Sequence, residues 1–411
     1  MPSRAAKDIN WESASTAEAV AHGIPWLVIG LGSTAYGKER RAITTLKHSH
    51  RISPYFLTTV WEDGSVSEML RANGLEFTPV TIGYLGRARL RWTLVNLWHM
   101  PALLLKVLRV YRAQECRGIV VLALLPFANV LPALLILRLF FGARLVFYLG
   151  DIPANTGPNR ALARLMQSTA DAIIVNSKAV LHGLETVGIR SERIQVAYNG
   201  LELERFKNAA PFPWREQFGW GSELLLIAYA GQFAPNKGVI DFLCAAERVL
   251  EQSDRCRFVL VGRKDEENAC YHKSLKRVSE KGLGDKIIFA GWITEMERAY
   301  AAMNLIVVPS RHEEAASNVI IEAMASSVPV IATQTGGSPE LLRDGATGYL
   351  VEKEDPEQIA EKILLLERNR PLLEEMASAA RQHAYDCFDV KNNAPRFEQT
   401  TLATLTLPVQ S

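Results

Sequence analysis

The sequence predicts an α/β protein built from two Rossmann-like, doubly wound domains that face each other across a cleft. Short apolar segments typical of buried strands alternate with segments of helical periodicity, which is the pattern of parallel βαβ units. The alternation occurs twice, and it breaks at residues 199–222, where proline, glycine and aromatic residues replace periodic structure. Because ligands of such sheets bind beyond the carboxyl ends of the strands, a site is expected in the cleft.

Each predicted domain holds six strands joined by helices. The predicted strands of the first domain are 25–30, 55–60, 119–125, 144–149, 172–177 and 194–198. The predicted strands of the second domain are 224–231, 257–262, 286–291, 305–310, 328–333 and 348–351. The predicted bounds are 1–23 for an N-terminal extension, 24–205 for the first domain, 206–385 for the second domain, and 386–411 for a C-terminal segment that returns to the first domain. One large domain with a long insertion is a less economical alternative.

Composition places the chain among globular proteins. It has 411 residues, of which 48% are hydrophobic and 22% are charged, and this length suits two domains. A net charge of +2 gives no global reason to expect nucleic acid as a partner. The five cysteines are scattered and never in C-x-x-C spacing, so we expect no disulfide framework, no metal site and a reducing, cytoplasmic location.

Two stretches bear on membranes. Residues 1–20 contain no apolar run, so no signal peptide is expected. Residues 119–137 carry no charge and are long enough to span a bilayer, but two prolines interrupt them. We favour a strand buried on both faces of a parallel sheet, followed by a helix over 127–142.

Residues 310–340 hold the richest set of polar groups in the chain. The predicted strand 305–310 ends at the carboxyl edge of the second sheet, so the loop after it lies at the cleft. Ser317 is a suitable N-cap for a helix that starts at Asn318. The free amides of Ser317, Asn318 and Val319 are then expected to bind a phosphate.

Two carboxylates flank this helix start. Glu314 lies before the helix, and Glu322 lies one turn inside it. On opposite sides of a phosphate they would hold the two ends of a nucleotide-sugar, Glu322 at the ribose and Glu314 at the sugar, because a carboxylate accepts two hydroxyl hydrogen bonds. Spacing alone does not separate this hypothesis from a solvated helix residue at Glu322.

Two glycine-containing turns add to the prediction. Residues 229–242 run from a strand through a glycine turn to Lys237 and Gly238, which places a cation where it can neutralise a diphosphate. A plain loop with a solvated lysine is the alternative. In residues 336–340, GGSPE, the glycines allow close backbone approach, the serine is the expected helix cap and the proline the first helical residue.

Together these segments resemble the retaining glycosyltransferases of family 4, among the group 1 glycosyltransferases, which have the GT-B fold of two Rossmann-like domains. AGQFAPNKGV is similar to the family's diphosphate loop, usually G-R-x-x-x-x-K-G. LVGRKDEE, IIFAGWI and residues 300–351 follow its nucleotide-binding half in order, and residues 175–206 are similar to the segment that closes its first domain. The resemblance covers residues 170–352 closely and the N-terminal third by architecture only.

The resemblance implies roles in the nucleotide-binding half. Lys237 binds the diphosphate of the sugar donor, Glu314 contacts the transferred sugar, and Glu322 holds the ribose. The helix amides at 317–319 surround the phosphates. No cofactor or metal is needed, since lysine, helix amides and usually an arginine neutralise the leaving diphosphate.

Three positions depart from the family's pattern. In the diphosphate loop, Gly231 is followed by Gln232 where the family has arginine, which removes one cation. After the fourth predicted strand, where many members have histidine, this chain has Gly150. Asp151 is the candidate for a partial substitute, and an ordinary loop residue is the alternative. Ser327 stands where a glycine often ends the helix, at a small cost for left-handed backbone.

The family also implies a mechanism. Residues 29–39 lie where it has a glycine-rich loop that faces phosphate and acceptor, and Gly32 is the candidate there. Transfer retains the anomeric configuration, the leaving diphosphate takes the acceptor proton, and electrostatic stabilisation of that diphosphate is the main catalytic contribution. The candidate catalytic residues are Glu314, Lys237 and Asp151.

Residues 86–112 favour a membrane-facing surface. No acidic residue occurs between Glu76 and Glu115, and the basic residues are Arg87, Arg89, Arg91, Lys106, Arg109 and Arg112. The accompanying apolar residues are Trp92, Leu94, Leu97, Trp98, Leu103, Leu104, Leu105 and Leu108. A basic, tryptophan-bearing amphipathic segment is typical of anionic membrane surfaces. The alternative is a helix packed on the first sheet with solvated basic residues.

The predicted function is transfer of a sugar from a UDP-sugar or GDP-sugar to a lipid-linked glycan or another hydroxyl acceptor bound by the first domain. The predicted location is cytoplasmic, at the inner face of the cell membrane. A UDP-sugar epimerase of GT-B fold is one alternative, which would use paired acids in place of an acceptor site. A non-catalytic nucleotide-sugar-binding subunit of an assembly complex is the other, and the departures at Gln232 and Gly150 keep it open.

Overall fold

The fold is given by a computed structural model, which describes residues 23–31, 37–59, 65–80, 90–122, 124–198, 200–264 and 267–406. These ranges contain two parallel sheets flanked by helices. The predicted α/β architecture of two Rossmann-like domains is therefore confirmed.

The first domain contains a seven-stranded sheet. Its strands are β1 Ile24–Leu31, β2 Ile52–Thr59, β3 Phe77–Val80, β4 Gly118–Val121, β5 Arg144–Leu149, β6 Ala172–Val175 and β7 Ile194–Val196. Its helices are α1 Gly37–Lys47, α2 Ser65–Ala72, α3 Leu90–Ala113, α4 Leu124–Phe141, α5 Gly157–Thr169 and α6 Lys178–Thr186. The strand order is β3-β2-β1-β4-β5-β6-β7, with every pair parallel.

The second domain contains a six-stranded parallel sheet. Its strands are β8 Leu225–Ala230, β9 Cys256–Val261, β10 Ile287–Gly291, β11 Leu305–Val308, β12 Val330–Thr333 and β13 Gly348–Val351. The helices of this half are α7 Trp214–Gln217, α8 Val239–Gln252, α9 Ala269–Glu280, α10 Met296–Ala301, α11 Asn318–Ala325, α12 Ser338–Leu341, α13 Pro356–Arg368 and α14 Arg370–Phe388. The strand order is β10-β9-β8-β11-β12-β13.

Both sheets reverse their winding next to their first strand. The reversal lies between β1 and β4 in the first sheet and between β8 and β11 in the second. At such a switch point the two following loops diverge and leave a crevice at the carboxyl edge of the sheet. The loops after β8 and β11 therefore flank the crevice of the second domain.

Both faces of each sheet are apolar. On β5, Leu145 and Phe147 join one buried cluster while Val146 and Tyr148 join the cluster on the opposite face. This alternation follows from the two-residue period of a strand. It explains why the central strands read as continuous apolar runs in the sequence.

The C-terminal helices divide between the domains. Residues of α14, among them Ala384 and Phe388, pack in the core of the second domain. The final helix, α15 Val390–Ala403, packs on the first domain, where the Phe397 ring lies 4.8 Å from the Tyr148 ring. The chain thus crosses back to the first domain after Phe388.

Three features differ from the sequence prediction. β3 was not predicted, because its four residues include Pro79 and only Val80 is buried. The strand predicted over 119–125 ends at Val121, and α4 begins at Leu124, since an apolar run does not show where a buried strand gives way to a buried helix. The break at 199–222 contributes buried aromatic side chains, including Trp214, to the second core.

Within the described ranges, every helix is too short or too polar to cross a bilayer.

Candidate functional site

Lys237 and Glu314 meet at the crevice of the second sheet. Lys237 ends a single 3-10 turn, Pro235–Lys237, after β8, and Glu314 lies in the loop after β11. Lys237 Nζ donates to Glu314 Oε1 at 2.5 Å, and Ser310 Oγ donates to the same oxygen at 2.8 Å. The fold thus brings together two predicted site residues from opposite sides of the switch point.

This ion pair is largely shielded from water. The side chains of Lys237 and Glu314 are 28% and 17% exposed. Burial raises the pKa of Glu314, but the Lys237 ammonium and the hydrogen bonds from Lys237 and Ser310 outweigh it, so the pKa lies below its ordinary value. The site therefore holds a carboxylate beside an ammonium ion at neutral pH.

A second ion pair joins the same two loops. Arg311 donates from Nε and Nη2 to the Asp241 carboxylate at 2.7 and 2.6 Å, and Asp241 is buried in the first turn of α8. Gly238 has a φ of +69°, and a Cβ there would overlap the carbonyl oxygen of Pro309. Sequence reasoning missed this pair. An arginine directly after a strand and an acid in a helix's first turn were the available signals.

The N-terminus of α11 follows Glu314 by three residues. Ser317 takes the predicted N-cap position, but its hydroxyl makes no capping hydrogen bond, so it leaves the first amides of the helix available. The Asn318 Oδ1 atom is buried and has no hydrogen-bond partner in the described part of the chain. Val319 follows in the first turn of the helix.

Glu322 is a shielded residue, so the solvated alternative is wrong. Its side chain is 16% exposed, its Oε2 accepts from the Tyr300 hydroxyl at 3.1 Å, and its Oε1 lies 3.7 Å from Arg205 Nη2. Burial raises the pKa of Glu322, and the Arg205 charge and the Tyr300 hydrogen bond act in the opposite direction. Tyr300 and Arg205 lie in the segments 300–351 and 175–206 that resemble the family, but they were not found as partners of Glu322, because no local pattern pairs either of them with it.

Gly231 and Gln232 follow β8 directly. The carbonyl oxygen of Gln232 accepts from the Tyr229 hydroxyl at 2.6 Å, which fixes the backbone of this loop. A Cβ at Gly231 would lie 3.2 Å from the same hydroxyl. The Gln232 side chain is exposed. The position that resembles the family's arginine is thus an uncharged side chain in contact with solvent.

Gly336 and Gly337 lie against the loop that carries Glu314. The amide of Gly337 donates to the Glu314 carbonyl oxygen at 2.7 Å, and the amide of Gly336 donates to Glu313 Oε2 at 2.9 Å. A Cβ on either glycine would overlap a carbonyl oxygen of this loop. The close backbone approach that the two glycines were expected to allow is thus an approach of residues 336–337 to the backbone of the Glu314 loop. The expected capping roles are wrong by one residue, since Gly337 is the N-cap and Ser338 begins α12.

Arg41 reaches the second domain from α1 of the first. Its Nη1 donates to the carbonyl oxygen of Ala316 at 2.8 Å, and its side chain is buried. Burial lowers the pKa of Arg41, while the charges of Asp151 and Glu314 act in the opposite direction. Arg41 thus adds a cation near Glu314 that sequence reasoning missed. The sequence offered no clear signal, because Thr44 and Thr45 on the same face of α1 are polar as well.

The remaining first-domain candidates have different outcomes. Asp151 is exposed, one residue beyond Gly150 at the end of β5, and its charge opposes the lowering of the Arg41 pKa by burial. A Cβ at Gly150 would lie 2.9 Å from the Asn176 Nδ2 atom, so a larger residue would require that side chain to move. Gly32 lies outside the described residues.

The predicted membrane segment, 86–112, coincides with helix α3 from Leu90 onward. Arg87 and Arg89 lie outside the described residues, as does the side chain of Arg91. Leu103 is buried, and Leu104 and Leu108 pack against the core of the first domain. The outward surface of the described part of α3 includes Leu105, Lys106, Arg109 and Arg112. Leu103, Leu104 and Leu108 therefore belong to the core, while the side chains of Trp92, Leu94, Leu97 and Trp98 lie outside the described residues.

An apolar cluster lies beside this basic surface. At the C-terminal end of α4, Leu139, Phe140 and Phe141 are 73%, 77% and 45% exposed. The guanidinium of Arg112 lies 5.7 Å from the Phe141 ring centroid, which joins the two helices. We call Leu105, Lys106, Arg109, Arg112 and Leu139–Phe141 the α3–α4 surface.

Within the described ranges, no group of histidine, cysteine and acidic side chains could hold a metal ion.

Comparison with known proteins agrees with this architecture, which places the chain in the GT-B class of two-domain α/β proteins. The crystal structure of Anabaena Alr3699/HepE in complex with UDP superposes with a TM-score of 0.77 at 23% identity, covering 93% of this chain and 100% of that one. Sucrose-phosphate synthase from Thermosynechococcus elongatus gives a TM-score of 0.73 at 19% identity, covering 93% and 99% of the two chains.

Residues 225–369 match the family model described as Glycosyl transferases group 1, so this part of the chain is similar to the group 1 glycosyltransferases. The lipopolysaccharide 1,2-N-acetylglucosaminetransferase of Salmonella typhimurium is 29% identical over 240 residues, which cover 56% of this chain and 61% of that protein. The D-inositol 3-phosphate glycosyltransferase of Streptomyces bingchenggensis is 31% identical over 224 residues, covering 52% and 49%. The matches thus span about half to three fifths of these relatives.

Proposed function

We propose that this protein is a retaining glycosyltransferase of family 4 that uses a nucleotide diphosphate sugar. The observation that carries the proposal is the Lys237–Glu314 ion pair at the switch point of the second sheet, beside a helix start whose N-cap hydroxyl makes no capping bond. A cation, helix amides and a carboxylate in that order suit a diphosphate followed by a sugar. The names of the relatives and the UDP complex of the structural neighbour support the same class of substrate.

In this proposal each candidate residue contacts one part of the sugar donor. The Lys237 ammonium faces the diphosphate and the amides at 317–319 surround it. Glu314, before helix α11, accepts hydrogen bonds from hydroxyls of the sugar. Glu322, which lies in α11 four residues after Asn318, accepts hydrogen bonds from the ribose hydroxyls. Lys237 has three N–H groups, so it can bond Glu314 and a phosphate oxygen together.

The proposed reaction forms one bond and breaks another on the same face of the sugar. The acceptor oxygen attacks the anomeric carbon as the bond from that carbon to the diphosphate oxygen breaks. The acceptor proton passes to the leaving diphosphate. Lys237 and the helix amides stabilise the charge that develops there, and no divalent metal is required of the reaction. Asp151 of the first domain is the candidate catalytic residue at the position where many family members have histidine.

Arg41 offers a replacement for the missing arginine of the diphosphate loop. The Gln232 side chain carries no charge. Arg41 is buried and bonded to the Ala316 carbonyl oxygen, and it lies close enough to Glu314 for the Glu314 charge to raise its pKa. The hydrogen bond from Arg41 Nη1 to the Ala316 carbonyl oxygen holds this cation beside the loop that carries Glu314. We therefore assign to Arg41 part of the charge neutralisation that Gln232 cannot provide.

The acceptor is proposed to be lipid-linked, with the protein held at an anionic membrane through the α3–α4 surface. The support is chemical, since exposed arginine and lysine attract anionic headgroups while exposed leucine and phenylalanine enter the interface. A pocket of about 200 Å³ with an apolar lining, including Met100, Leu104 and Val130, lies between α3 and α4. That pocket is compatible with part of a lipid chain.

Donor turnover separates this proposal from its alternatives. The purified protein is incubated with UDP-sugars and GDP-sugars, with and without a membrane extract and in the presence of EDTA. A transferase releases nucleotide diphosphate in proportion to a new glycoside, and nuclear magnetic resonance of the product shows the retained configuration. An epimerase converts the donor without extract, and a non-catalytic subunit binds UDP or GDP in calorimetry without turnover. Either of those two results would refute the transferase proposal.

Liposome co-sedimentation tests the membrane part. Binding is expected to vesicles with anionic lipid and to fall as salt shortens the Debye length to about 3 Å at 1 M. The variant Arg109→Ser/Arg112→Ser loses two cations, each worth about 1 kcal/mol near the surface, and should bind more weakly. Lys276→Ser/Lys281→Ser, which alters two exposed lysines of the second domain, is the matched control. Wild type that stays in the supernatant at low salt would contradict this part.

A further inference from the structure

Glu340 is a second-domain residue whose carboxylate, among the described residues, is bonded only to the first domain. Its Oε2 accepts from the amide of Lys178 at 2.7 Å, and its Oε1 accepts from the amide of Ala179 at 2.7 Å. The Tyr198 hydroxyl donates to Oε2 at 2.9 Å. These partners lie 142 to 162 residues away in sequence, so the contact joins two separately folded parts of the chain.

The carboxylate completes the N-terminus of α6. Ser177 is the N-cap of that helix, and its hydroxyl accepts from the amide of Val180. Glu340 accepts from the two amides before it, Lys178 and Ala179, so the first three helix amides all have acceptors. A negative charge at this end is further stabilised by the helix dipole. Two oxygens match two adjacent amides, which explains a carboxylate at this position.

The same residue is coupled to the loop that carries Glu314. Glu340 lies in α12, three residues after Gly337, whose amide bonds the Glu314 carbonyl oxygen at 2.7 Å. On the other side of that loop, Arg41 of the first domain bonds the Ala316 carbonyl oxygen. The segment from Glu314 to Ala316 is therefore linked to the first domain through two independent sets of contacts.

We infer that Glu340 is a positioning residue, which holds the carboxyl edges of the two sheets at the separation that transfer requires. This inference rests on the proposed function, because it assumes a sugar donor on the second domain and an acceptor on the first. Glu340 contacts neither of them. It sets where the Glu314 loop stands relative to α6 and the acceptor side of the cleft. The proposed donor contacts Lys237, Glu314 and Glu322 all lie in the second domain, so they stay together when the domains shift relative to each other.

Three substitutions grade the contact. Glu340→Ala removes all three hydrogen bonds, Glu340→Gln keeps one acceptor oxygen and faces an N–H group toward a helix amide, and Tyr198→Phe removes one bond only. Glu185→Ala is the matched control, since Glu185 is an exposed carboxylate of the same helix bonded only to His182 among the described residues.

The test combines small-angle X-ray scattering, calorimetry with UDP and GDP, and donor turnover. For Glu340→Ala we expect a larger radius of gyration, a nucleotide Kd within about twofold of wild type, and a kcat at least about tenfold lower, the size expected from losing hydrogen bonds to a charged group. Glu340→Gln should be intermediate, Tyr198→Phe smaller still, and Glu185→Ala unchanged. Selective loss of kcat distinguishes positioning from a stabilising role, which would lower the melting temperature without changing the scattering.

The outcomes separate this inference from the proposed function. Scattering and kcat that match wild type in both Glu340 variants would overturn the positioning role. Loss of nucleotide affinity with unchanged scattering would also overturn it, because Glu340 would then act on the sugar donor directly. If Glu340→Ala does not fold, Glu340→Gln and Tyr198→Phe decide the matter. If wild type transfers no sugar, the proposed function fails, and the scattering still shows whether Glu340 sets the domain arrangement.

Discussion

Replacing Lys237 by methionine should expose how much the Glu314 carboxylate depends on its partner. Methionine keeps most of the aliphatic stem and removes the ammonium that lies 2.5 Å from Glu314 Oε1. The remaining hydrogen bond, from Ser310 at 2.8 Å, does not neutralise a carboxylate that is only 17% exposed. We expect a loss of about 2–3 kcal/mol in the free energy of unfolding, between the value for one hydrogen bond to a charge and that for a fully buried ion pair.

The loss should depend on pH in a defined direction. In wild type the pKa of Glu314 lies below its ordinary 4.5, so the stability it contributes is present at neutral pH and is lost as pH falls through that lowered value. In Lys237→Met the effect of burial, which is the largest influence, is no longer opposed by the ammonium, so the pKa rises and protonation relieves the cost. The difference between the two proteins should be largest at pH 7 and shrink as pH approaches 4.5.

Urea denaturation of a double-mutant cycle measures the pair. Lys237→Met/Glu314→Gln removes both charges, so its loss should be smaller than the sum of the two single losses by about 1–2 kcal/mol. Lys276→Met is the control, since its pair with Glu280 is 74% and 65% exposed and should contribute less than about 0.5 kcal/mol. Additive single losses, or a loss that does not change between pH 7 and pH 5, would refute this account of Glu314.

Three further predictions concern single positions. Gln232→Arg should retain activity or tighten nucleotide binding in calorimetry, and a folded but inactive variant would show that the glutamine has a role of its own. Glu322→Gln should weaken UDP or GDP binding by about 1.5–3 kcal/mol, and unchanged affinity would remove the ribose role. The variant should not lower stability at pH 7, because a buried carboxylate with a raised pKa destabilises the fold at that pH and this cost disappears only as pH falls. Ser327 has a φ of +61°, so Ser327→Gly should gain about 0.5–1 kcal/mol in thermal unfolding, and a loss would show that its contact with Arg381 matters more.

The strands of the fold were predictable because most are buried on both faces. The predicted bounds of β5 and β13 agree with the structure, since each is a short run enclosed by polar or turn residues. Prediction failed where that contrast disappears. Phe77–Val80 is a partly exposed edge strand with a proline, and Leu122–Leu125 continues the composition of a strand into the start of a helix.

The candidate site was predictable within each loop and hidden between loops. Lys237, Glu314 and Ser317 follow strands or precede helices, so their positions relative to the sheet edge could be worked out locally. Arg41 and Glu340 act on partners in the other domain, and a local pattern does not indicate which distant carbonyl or amide a charged side chain will contact. Glu340 reads as an ordinary acid in the first turn of a helix.

Contacts within the second domain and contacts between the two domains should affect different measurable quantities when they are removed by substitution. The groups proposed to bind the sugar donor are fixed within the second domain by the Arg311–Asp241 pair and by glycine turns that admit no side chain. The described contacts to the opposite domain depend on a few side chains, of which Arg41 and Glu340 bond main-chain groups directly. Substitutions among the groups that fix the donor site should therefore change nucleotide affinity, because those groups determine how the nucleotide is bound. Changes at Glu340 should appear in turnover at saturating sugar donor, since only there do both domains need to be correctly placed. Changes at Arg41 should affect both quantities, because Arg41 is also assigned part of the neutralisation of the diphosphate.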